Sequence, residues 1–319
     1  MSELDTTKVL TYKTAVTTSP RILDEVLPGL GTGKFGIIAG TGGVGKSFCG
    51  LQSGLAVAAG RDIHSLYSNA NIKEGKVAYI SVEDTLDDMH RRLVSMHKQI
   101  KFKNDADEIE FINKTDNNIR CYDFGGQMFT LAQKQNGTLS ISMTSIEKLV
   151  NLLAGTRLLV IETLNQIACA GSLDENSSTD MSYLISAIGI LSRRVGCATV
   201  ALHHVRKETA DADDENLTLG SVRGSSVLVD NARWVMLMKS MTEKAAKARF
   251  SNEIWQKEQN LWVKRVIAKQ NHSDPVESVW LKRIEGGVLS GAEQPPTTRQ
   301  GKQKAASNRD PKSGFRYHD

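Results

Sequence analysis

The sequence predicts an α/β fold with a mostly parallel central sheet flanked by helices, and two observations lead to that prediction. Short apolar runs alternate with segments of helical spacing along the 319 residues, as they do in βαβ units. The runs Leu158–Ile161 and Ala198–Leu202 are apolar without interruption, which is typical of central strands buried on both faces. The helical spacing of Met181–Val195 between them favours a right-handed crossover.

The other predicted elements continue this alternation. Two strands are each followed by a helix: Phe35–Ala39 by Lys46 to about Gly60, and Val77–Ser81 by Leu86 to about Lys101. Two more strands are predicted at Trp234–Met238 and Leu261–Ala268. A C-terminal β-hairpin is predicted from Ser278–Ile284, Gly286-Gly287 and Val288–Leu289. The chain therefore reads as one sheet extended by a hairpin.

Composition divides the chain into one domain with two tails. Residues 1–19 are Thr-rich and lack the apolar segment of a secretory signal, so we expect a flexible N-terminal arm. Residues 20–291 contain no segment that resembles a linker and should form one domain. Residues 292–319 are almost without apolar side chains, which predicts a disordered basic tail.

Charge and cysteine content exclude several classes of protein. The tail carries six Lys or Arg against three Asp or Glu, which leaves the rest of the chain nearly neutral at 34 basic and 33 acidic residues. The net charge of +4 is therefore no evidence that the folded part binds nucleic acid. No apolar run is long enough to span a bilayer, so we expect a cytoplasmic protein without a membrane partner. The four scattered cysteines predict buried thiols rather than a zinc site or disulfides.

One motif predicts a nucleoside triphosphate, ATP, as the ligand. Its eight residues fit G-x-x-x-x-G-K-[ST] between a predicted strand and helix: Gly40, Thr41, Gly42, Gly43, Val44, Gly45, Lys46 and Ser47. The glycines let backbone N–H groups turn toward phosphate oxygens, and the helix N-terminus adds partial positive charge. Lys46 is expected to neutralise the β- and γ-phosphates, and the Ser47 hydroxyl to bind Mg²⁺.

Two carboxylates are candidates for the rest of the chemistry. Glu162 ends an apolar strand and is expected on the metal side, although Asp is the usual residue there and Glu is one methylene longer. Glu83 follows the strand Val77–Ser81 at the carboxyl edge, where open α/β sheets bind ligands. We expect Glu83 to orient or deprotonate the attacking water. The alternative is that Glu83 and Asp84 cap the following helix.

A pair of histidines, His203 and His204, ends the predicted strand Ala198–Leu202. Either could bond the γ-phosphate and report its loss. A structural role is the alternative for both.

At this point the sequence resembles the RepA-type hexameric replicative helicases of broad-host-range plasmids, which belong to the RecA/DnaB-like ATPases. The resemblance covers roughly Asp24 to Leu289, with long motifs in the same order. The longest is the run from Arg223 to Trp234, RGSSVLVDNARW. The others are Val26–Gly29, Val77–Ile80 with Glu83-Asp84, Leu202–His204 and Gly286–Leu289.

The resemblance implies a RecA-like core, a homohexameric ring with ATP at each subunit interface, and 5′→3′ translocation on single-stranded DNA. It also implies replication partners such as plasmid origin-binding proteins or a primase. Carried onto this chain, Lys46 and Ser47 bind nucleotide, Glu83 is catalytic, and Glu162 takes the second-carboxylate position. His203 or His204 becomes the γ-phosphate sensor.

Two residues are implied to act on a neighbouring subunit's ATP. Arg223 is similar to an arginine finger, and the alternative for it is a surface arginine that anchors a turn. Lys269 is similar to a second trans cation, with Asn271 where DnaB-like enzymes often carry Arg.

Two features depart from the expected pattern. Glu162 replaces the family's Asp, and the two loops expected to face the pore, near Asn165–Asp180 and Glu208–Val222, are acidic. Acidic loops repel phosphates, so flanking cations would have to bind the DNA. The candidates are Arg206, Lys207, Arg223 and the helix that carries Arg91, Arg92, Lys98 and Lys101. A recombination or repair mediator without unwinding activity, and a regulatory ATPase acting on proteins, remain the alternatives.

Overall fold

The computed structural model describes residues 9–126, 130–205, 219–222, 226–251, 254–270 and 278–296. Its strands are β1 (Glu25–Leu27), β2 (Leu30–Gly31), β3 (Phe35–Gly40), β4 (Lys76–Ser81), β5 (Ile119–Asp123), β6 (Ala132–Gln135), β7 (Thr138–Ile141), β8 (Thr156–Glu162), β9 (Ala198–His204), β10 (Trp234–Ser240), β11 (Trp262–Gln270), β12 (Val279–Arg283) and β13 (Leu289–Ser290). Its α-helices are α1 (Tyr12–Thr17), α2 (Lys46–Ala59), α3 (Leu86–Lys98), α4 (Asp105–Asn118), α5 (Met143–Leu152), α6 (Leu164–Ala170), α7 (Ser178–Val195), α8 (Val227–Asn231), α9 (Glu243–Arg249) and α10 (Trp255–Gln259).

A nine-stranded sheet in the order β13-β12-β11-β10-β3-β9-β8-β4-β5 forms the centre of the molecule. The six strands from β10 to β5 run parallel to one another, whereas β11, β12 and β13 add an antiparallel extension beyond β10. All carboxyl ends of the parallel strands therefore lie at one edge of the sheet. The α/β prediction is confirmed.

Hydrophobic clusters cover both faces of this sheet. One cluster joins α2, α3 and α4 to side chains such as Val160 and Leu202, and the other joins α5, α6 and α7 to Leu159 and Ala201. Because neighbouring residues of one strand point to opposite faces, β8 and β9 are apolar throughout. A third, smaller cluster fills the space between α9, α10 and the antiparallel strands.

Small residues bring α2 close to the parallel strands. A Cβ added to Gly50 would lie 3.3 Å from side-chain atoms of Leu202 and Val160, and one added to Gly54 would lie 3.2 Å from Val77. Side chains at these positions would push the helix away from the sheet. The glycines therefore fix the height of Ser47, at the start of α2, above the ends of β8 and β9.

The C-terminal hairpin is present and is docked on α2. Strands β12 and β13 pair antiparallel around a 3₁₀ turn at Glu285–Gly287. The buried Gln52 accepts a hydrogen bond from the Leu289 N–H at 3.1 Å and donates one to the Leu289 carbonyl at 2.7 Å. This side chain thus replaces a strand partner for β13.

Several predicted boundaries were wrong. The second predicted helix ends at Lys98 rather than near Lys101, and β11 ends at Gln270 rather than at Ala268. No sequence pattern predicted α4, β5, α5 or the β6–β7 hairpin. These elements carry mixed polar sequences, and their burial comes from tertiary packing: α4 packs against α2, β5 pairs with β4, and α5, β6 and β7 pack against α7.

The remaining expectations for the chain outside the sheet have mixed outcomes. Helix α1 of the arm is exposed along its whole length. At the start of the predicted tail, Glu293 pairs with Lys282 and Gln294 donates to the Trp280 carbonyl.

Cys49 and Cys197 are buried thiols, as predicted, but Cys169 is exposed. Among the helices described, none combines the length and apolar character that a bilayer crossing needs.

Replacing Gln52 by Leu should destabilise the protein by about 2–4 kcal/mol, because the N–H and carbonyl of Leu289 would both stay buried without partners. Urea denaturation measures the change. Gln256→Leu, on the exposed surface of α10, is the matched control and should change stability by less than about 0.5 kcal/mol. Equal stabilities of the two variants would contradict the docking role of Gln52.

Candidate nucleotide-binding site

The glycine-rich motif forms the loop between β3 and α2, as predicted. Gly43 and Gly45 have φ angles of 73° and 101°, in the left-handed region that favours glycine. A Cβ on Gly42 or Gly43 would meet no atom within 4 Å, so the outer side of the loop is open to a ligand. Val44 is fully buried beneath the loop. The loop thus has a fixed base and an accessible row of backbone N–H groups at a helix N-terminus, which suits phosphate.

Lys46 bends back over this loop. Its Nζ donates to the carbonyls of Gly40 and Thr41, at 3.0 and 2.9 Å, and lies 3.4 Å from Nδ1 of His204. Burial lowers the pKa of Lys46, and the negative charges of Glu83 and Glu162 oppose that shift. The amine therefore lies within the loop, where a triphosphate would meet it.

Glu162 is the buried carboxylate of the site, at 3% exposure. One of its oxygens, Oε1, accepts a short hydrogen bond from the Ser47 hydroxyl, and the other, Oε2, accepts one from Tyr79 at 2.5 Å. Burial raises the pKa of Glu162 to about 7, although both hydrogen bonds oppose the shift. A carboxylate on the metal side was expected from a strand that neighbours β3, but β9 separates the Glu162 strand, β8, from β3. Ser47 reaches Glu162 because α2 crosses above β9.

Glu83 lies near this pair but in a different environment. It is exposed, and its Oε1 accepts a hydrogen bond at 2.7 Å from the hydroxyl of the buried Thr163. Thr163 directly follows Glu162 at the end of β8. The hydrogen bond from Thr163 therefore holds the Glu83 carboxylate near that of Glu162. A solvent-accessible, oriented carboxylate can bind a water molecule, whereas the buried Glu162 is suited to a metal.

The capping alternative for Asp84 was wrong. Thr85 caps α3 in a capping box with Asp88. Asp84 instead forms a bidentate ion pair with Arg92, with one Nη2–Oδ1 distance of 3.0 Å. The guanidinium of Arg92 also lies over the ring of Phe48, 5.8 Å from its centroid. Arg92 is therefore engaged in holding α3 beside the phosphate loop and is a weak candidate for binding DNA.

The structure places the two histidines in different environments. Because strand residues alternate, His204 lies on the same face as Leu202 and α2, and His203 on the face of Ala201 and α7. His204 approaches Lys46, whereas His203 is fully buried. The sequence alone did not distinguish the two as candidates for contact with a γ-phosphate. The geometry favours His204, because it lies beside Lys46.

The antiparallel extension also contacts the loop, which sequence reasoning missed. Arg283 of β12 donates from Nη2 to the Gly43 carbonyl at 2.9 Å. Burial lowers the pKa of Arg283. Leu289 packs against Gly45, with its Cδ1 3.3 Å from the position of an added Cβ. The loop is thus supported from outside by the hairpin.

The candidate trans residues lie elsewhere. Lys269 is near the end of β11 and pairs in register with Val235, close to the amino end of β10, so it lies at the sheet edge opposite the phosphate loop. Its Nζ donates to the carbonyls of Val229 and Asp230, at 2.7 and 2.9 Å, at the end of α8. Burial lowers the pKa of Lys269, the charge of Asp230 opposes that shift, and the charge of Arg233 adds to it. Arg223 and Asn271 lie outside the described residues.

The first of the two expected pore loops is largely ordered structure. Residues Leu164–Ala170 form α6, and α7 begins at Ser178. Asp180 is buried, caps α7 with Ser177 and pairs with Lys134 of the β6–β7 hairpin at 3.1 Å. Its charge is therefore compensated inside the molecule, contrary to the prediction of an acidic pore residue. Most of the second loop, residues 208–218, lies outside the described part of the chain, as do Arg206 and Lys207.

The groups at the carboxyl edge fit a nucleoside triphosphate with Mg²⁺. Ser47 and Glu162 present the hard oxygen ligands that this cation prefers, and Lys46 lies beside them. When bound, Mg²⁺ would neutralise charge on the β- and γ-phosphates. The side chains of the protein would hold the phosphates, orient a water at Glu83 and sense the terminal phosphate through His204.

Comparison with protein families gives a match over most of the chain. Residues 3–210 match the model of a family described as the AAA domain.

Solved structures give similar folds at low identity. A DnaB-like replicative helicase, solved with its interactions with primase, is 17% identical with a TM-score of 0.52, over 82% of this chain and 58% of that one. The chain thus spans little more than half of that helicase. The ATPase domain of G40P is 17% identical with a TM-score of 0.49, over 82% of this chain and 85% of that one. The RadB recombinase is 12% identical with a TM-score of 0.49, over 83% of this chain and 93% of that one.

Glu83→Gln should leave ATP binding near normal and lower turnover by ~10²-fold or more, because the amide cannot accept a proton from water. Glu162→Gln should instead weaken binding of the Mg²⁺–nucleotide complex. Single-turnover hydrolysis and equilibrium binding measure the two effects, and Glu110→Gln on α4 serves as the surface control. A fully active Glu83→Gln protein beside an inactive Glu162→Gln protein would reverse the assigned roles.

Proposed function

The chain belongs to the AAA domain family of P-loop ATPases, and from that premise we propose that it is an ATP-dependent DNA helicase. In this proposal the active form is a homohexameric ring that translocates 5′→3′ on single-stranded DNA during replication of a plasmid or similar mobile element. Mg²⁺ and ATP occupy the loop at Gly40–Ser47. The sequence resemblance to RepA-type helicases supplies the polarity, the ring and the replication partners.

The observation that carries the proposal is the position of Lys269, the described one of the two candidate trans cations. Among the described residues, Lys46 is the cation within the phosphate loop, with Arg283 on the loop's outer side. Lys269 lies at the opposite edge of the sheet, so it cannot serve the nucleotide of its own subunit. A head-to-tail neighbour brings opposite edges together, and repetition of that contact closes a ring or extends a filament.

The charges at the two edges favour such a contact. A cavity of about 530 Å³ at the amino edge is lined by three cations, Lys34, Arg193 and Arg233, and none of the described residues that line it is acidic. The carboxyl edge carries Glu83 and Glu162 and would gain the charge of a triphosphate. Complementary edges of this kind steer copies of one chain into register.

The contacts of Lys269 suggest how Arg223 is supported. Lys269 holds the carbonyls at the end of α8, and this helix begins four residues after Arg223. In the proposal, Lys269 therefore anchors the segment that presents the arginine finger to the neighbour. Its own ammonium would face the neighbour's phosphates only after leaving these carbonyls.

Single-stranded DNA should accelerate ATP hydrolysis by the wild-type protein, and the protein should displace a strand from a tailed duplex in an ATP-dependent reaction. Steady-state hydrolysis with and without DNA, and a gel-based displacement assay, measure the two effects. The Lys46→Ala protein is the control and should show neither. Stimulation without displacement would indicate a recombination or repair mediator, and no response to DNA would indicate a regulatory ATPase.

Arg223→Ala should keep ATP binding but lose ~10³–10⁵ in turnover, the typical cost of removing an arginine finger. If the arginine acts in trans, mixing Arg223→Ala with Lys46→Ala subunits should restore part of the activity, because some interfaces pair an intact loop with an intact finger.

The matched control is Arg194→Ala, which removes an exposed arginine that pairs with Glu147, and it should leave turnover unchanged. If rings that are verified to contain both Arg223→Ala and Lys46→Ala subunits stay inactive, that result would count against the trans role.

A further inference from the structure

Tyr79 lies behind the metal-side carboxylate. It is fully buried on β4, and its hydroxyl donates to Oε2 of Glu162 at 2.5 Å. The other carboxylate oxygen accepts the hydrogen bond from Ser47. The two oxygens of Glu162 therefore have separate partners, one in the sheet and one in the phosphate loop.

The strand register explains this arrangement. In the parallel pairing of β4 with β8, Tyr79 is opposite Val160 and Ser81 is opposite Glu162. Tyr79 and Glu162 are thus diagonal neighbours on the face covered by α2, and a long aromatic side chain can bridge such a diagonal. Its ring fills the core below α2, while its hydroxyl reaches the strand end.

The extra methylene of Glu162 needs such a partner. A glutamate has one more rotatable bond than the aspartate usual at this position, and holding it in one geometry costs more side-chain entropy. A carboxylate that is buried beside an ordered donor stays in one orientation, because leaving the donor unpaired is unfavourable. Fixing Oε2 on Tyr79 directs Oε1 toward Ser47.

We propose that Tyr79 is a positioning residue that adapts this site to a glutamate, by anchoring Oε2 of Glu162 so that Oε1 and Ser47 present one preformed oxygen pair to Mg²⁺. This inference rests on the proposed binding of Mg²⁺ and nucleotide. Tyr79 itself contacts neither. Its loss should therefore act on the metal dependence of binding and should spare the interactions of the phosphate loop with the nucleotide alone.

The test is the affinity of the full-length protein for a fluorescent ADP analogue, titrated with Mg²⁺ and repeated in EDTA. Tyr79→Phe should raise the Mg²⁺ concentration for half-maximal binding by ~10-fold, the size expected for one hydrogen bond to a charged group. Its affinity in EDTA should equal that of the wild type. A general packing defect would lower both affinities.

A double-mutant cycle with Glu162→Asp separates adaptation to glutamate from other roles. The shorter acid cannot contact Tyr79 and Ser47 together, so Tyr79→Phe in the Glu162→Asp background should change the Mg²⁺ requirement by less than ~2-fold. An equal effect in both backgrounds, or no effect in the wild-type background, would overturn the proposal.

Tyr67→Phe is the matched control. Tyr67 is also a buried tyrosine under α2, and its hydroxyl hydrogen-bonds to Ser53 at 2.7 Å, away from Glu162. It should lower thermal stability without changing the Mg²⁺ requirement. A wild-type protein that binds the analogue without any Mg²⁺ dependence would refute the proposed Mg²⁺ site at Ser47 and Glu162, and a wild-type protein that does not bind the analogue at all would refute the nucleotide site. The same Mg²⁺ dependence in the wild type and in Tyr79→Phe would refute only the role of Tyr79.

Discussion

The hydrogen bond between Ser47 and the buried Glu162 joins the phosphate loop to the centre of the sheet, and the geometry of the site depends on it. A buried carboxylate is costly unless donors surround it. Here the donors come from two directions, Ser47 on α2 and Tyr79 on β4. The helix can supply its donor only because Gly50 and Gly54 let it lie close to the strands. The close packing of α2 on the sheet therefore also determines the geometry of the Ser47–Glu162 pair.

The antiparallel extension stabilises the same loop from the outside. Gln52 completes the hydrogen bonds of β13, and Arg283 donates to the carbonyl of Gly43. The loop between β3 and α2 is thus supported by the core beneath it and by the hairpin beside it. A flexible glycine-rich segment gains a defined shape in this way, which reduces the entropy that a bound phosphate would have to overcome.

The direction of the strands divides the molecule into two chemically different edges. Parallel strands bring their carboxyl ends together, and with them Lys46, Glu83, Glu162 and His204. The same topology leaves Lys34, Arg233 and Lys269 at the amino edge. Since β11 runs antiparallel to β10, the carboxyl end of β11, which carries Lys269, lies at the amino edge of the parallel strands. The proposed trans role of Lys269 requires a second copy for this reason.

Much of the fold and part of the site could be predicted from local patterns. The motif at Gly40–Ser47, the apolar strands β8 and β9 and the final hairpin have short-range signatures, because glycine conformation and strand alternation are local properties. The outcomes for Asp84 and Asp180 differed from expectation. Asp84 pairs with Arg92 and Asp180 with Lys134. These pairs form because of how α3 and the β6–β7 hairpin pack, and the spacing of the residues along the chain does not reveal them.

The sequence by itself determined which residues can bind phosphate and metal, since those chemistries follow from residue type and motif. Only the tertiary structure decided which histidine approaches Lys46, which oxygen of Glu162 meets Ser47, and that Tyr79, which in the sequence is one more apolar strand residue, holds the other. The physical reason is that these contacts join strands far apart in the chain. Strand order and register, rather than sequence neighbours, set the ångström-scale distances on which hydrogen bonds depend.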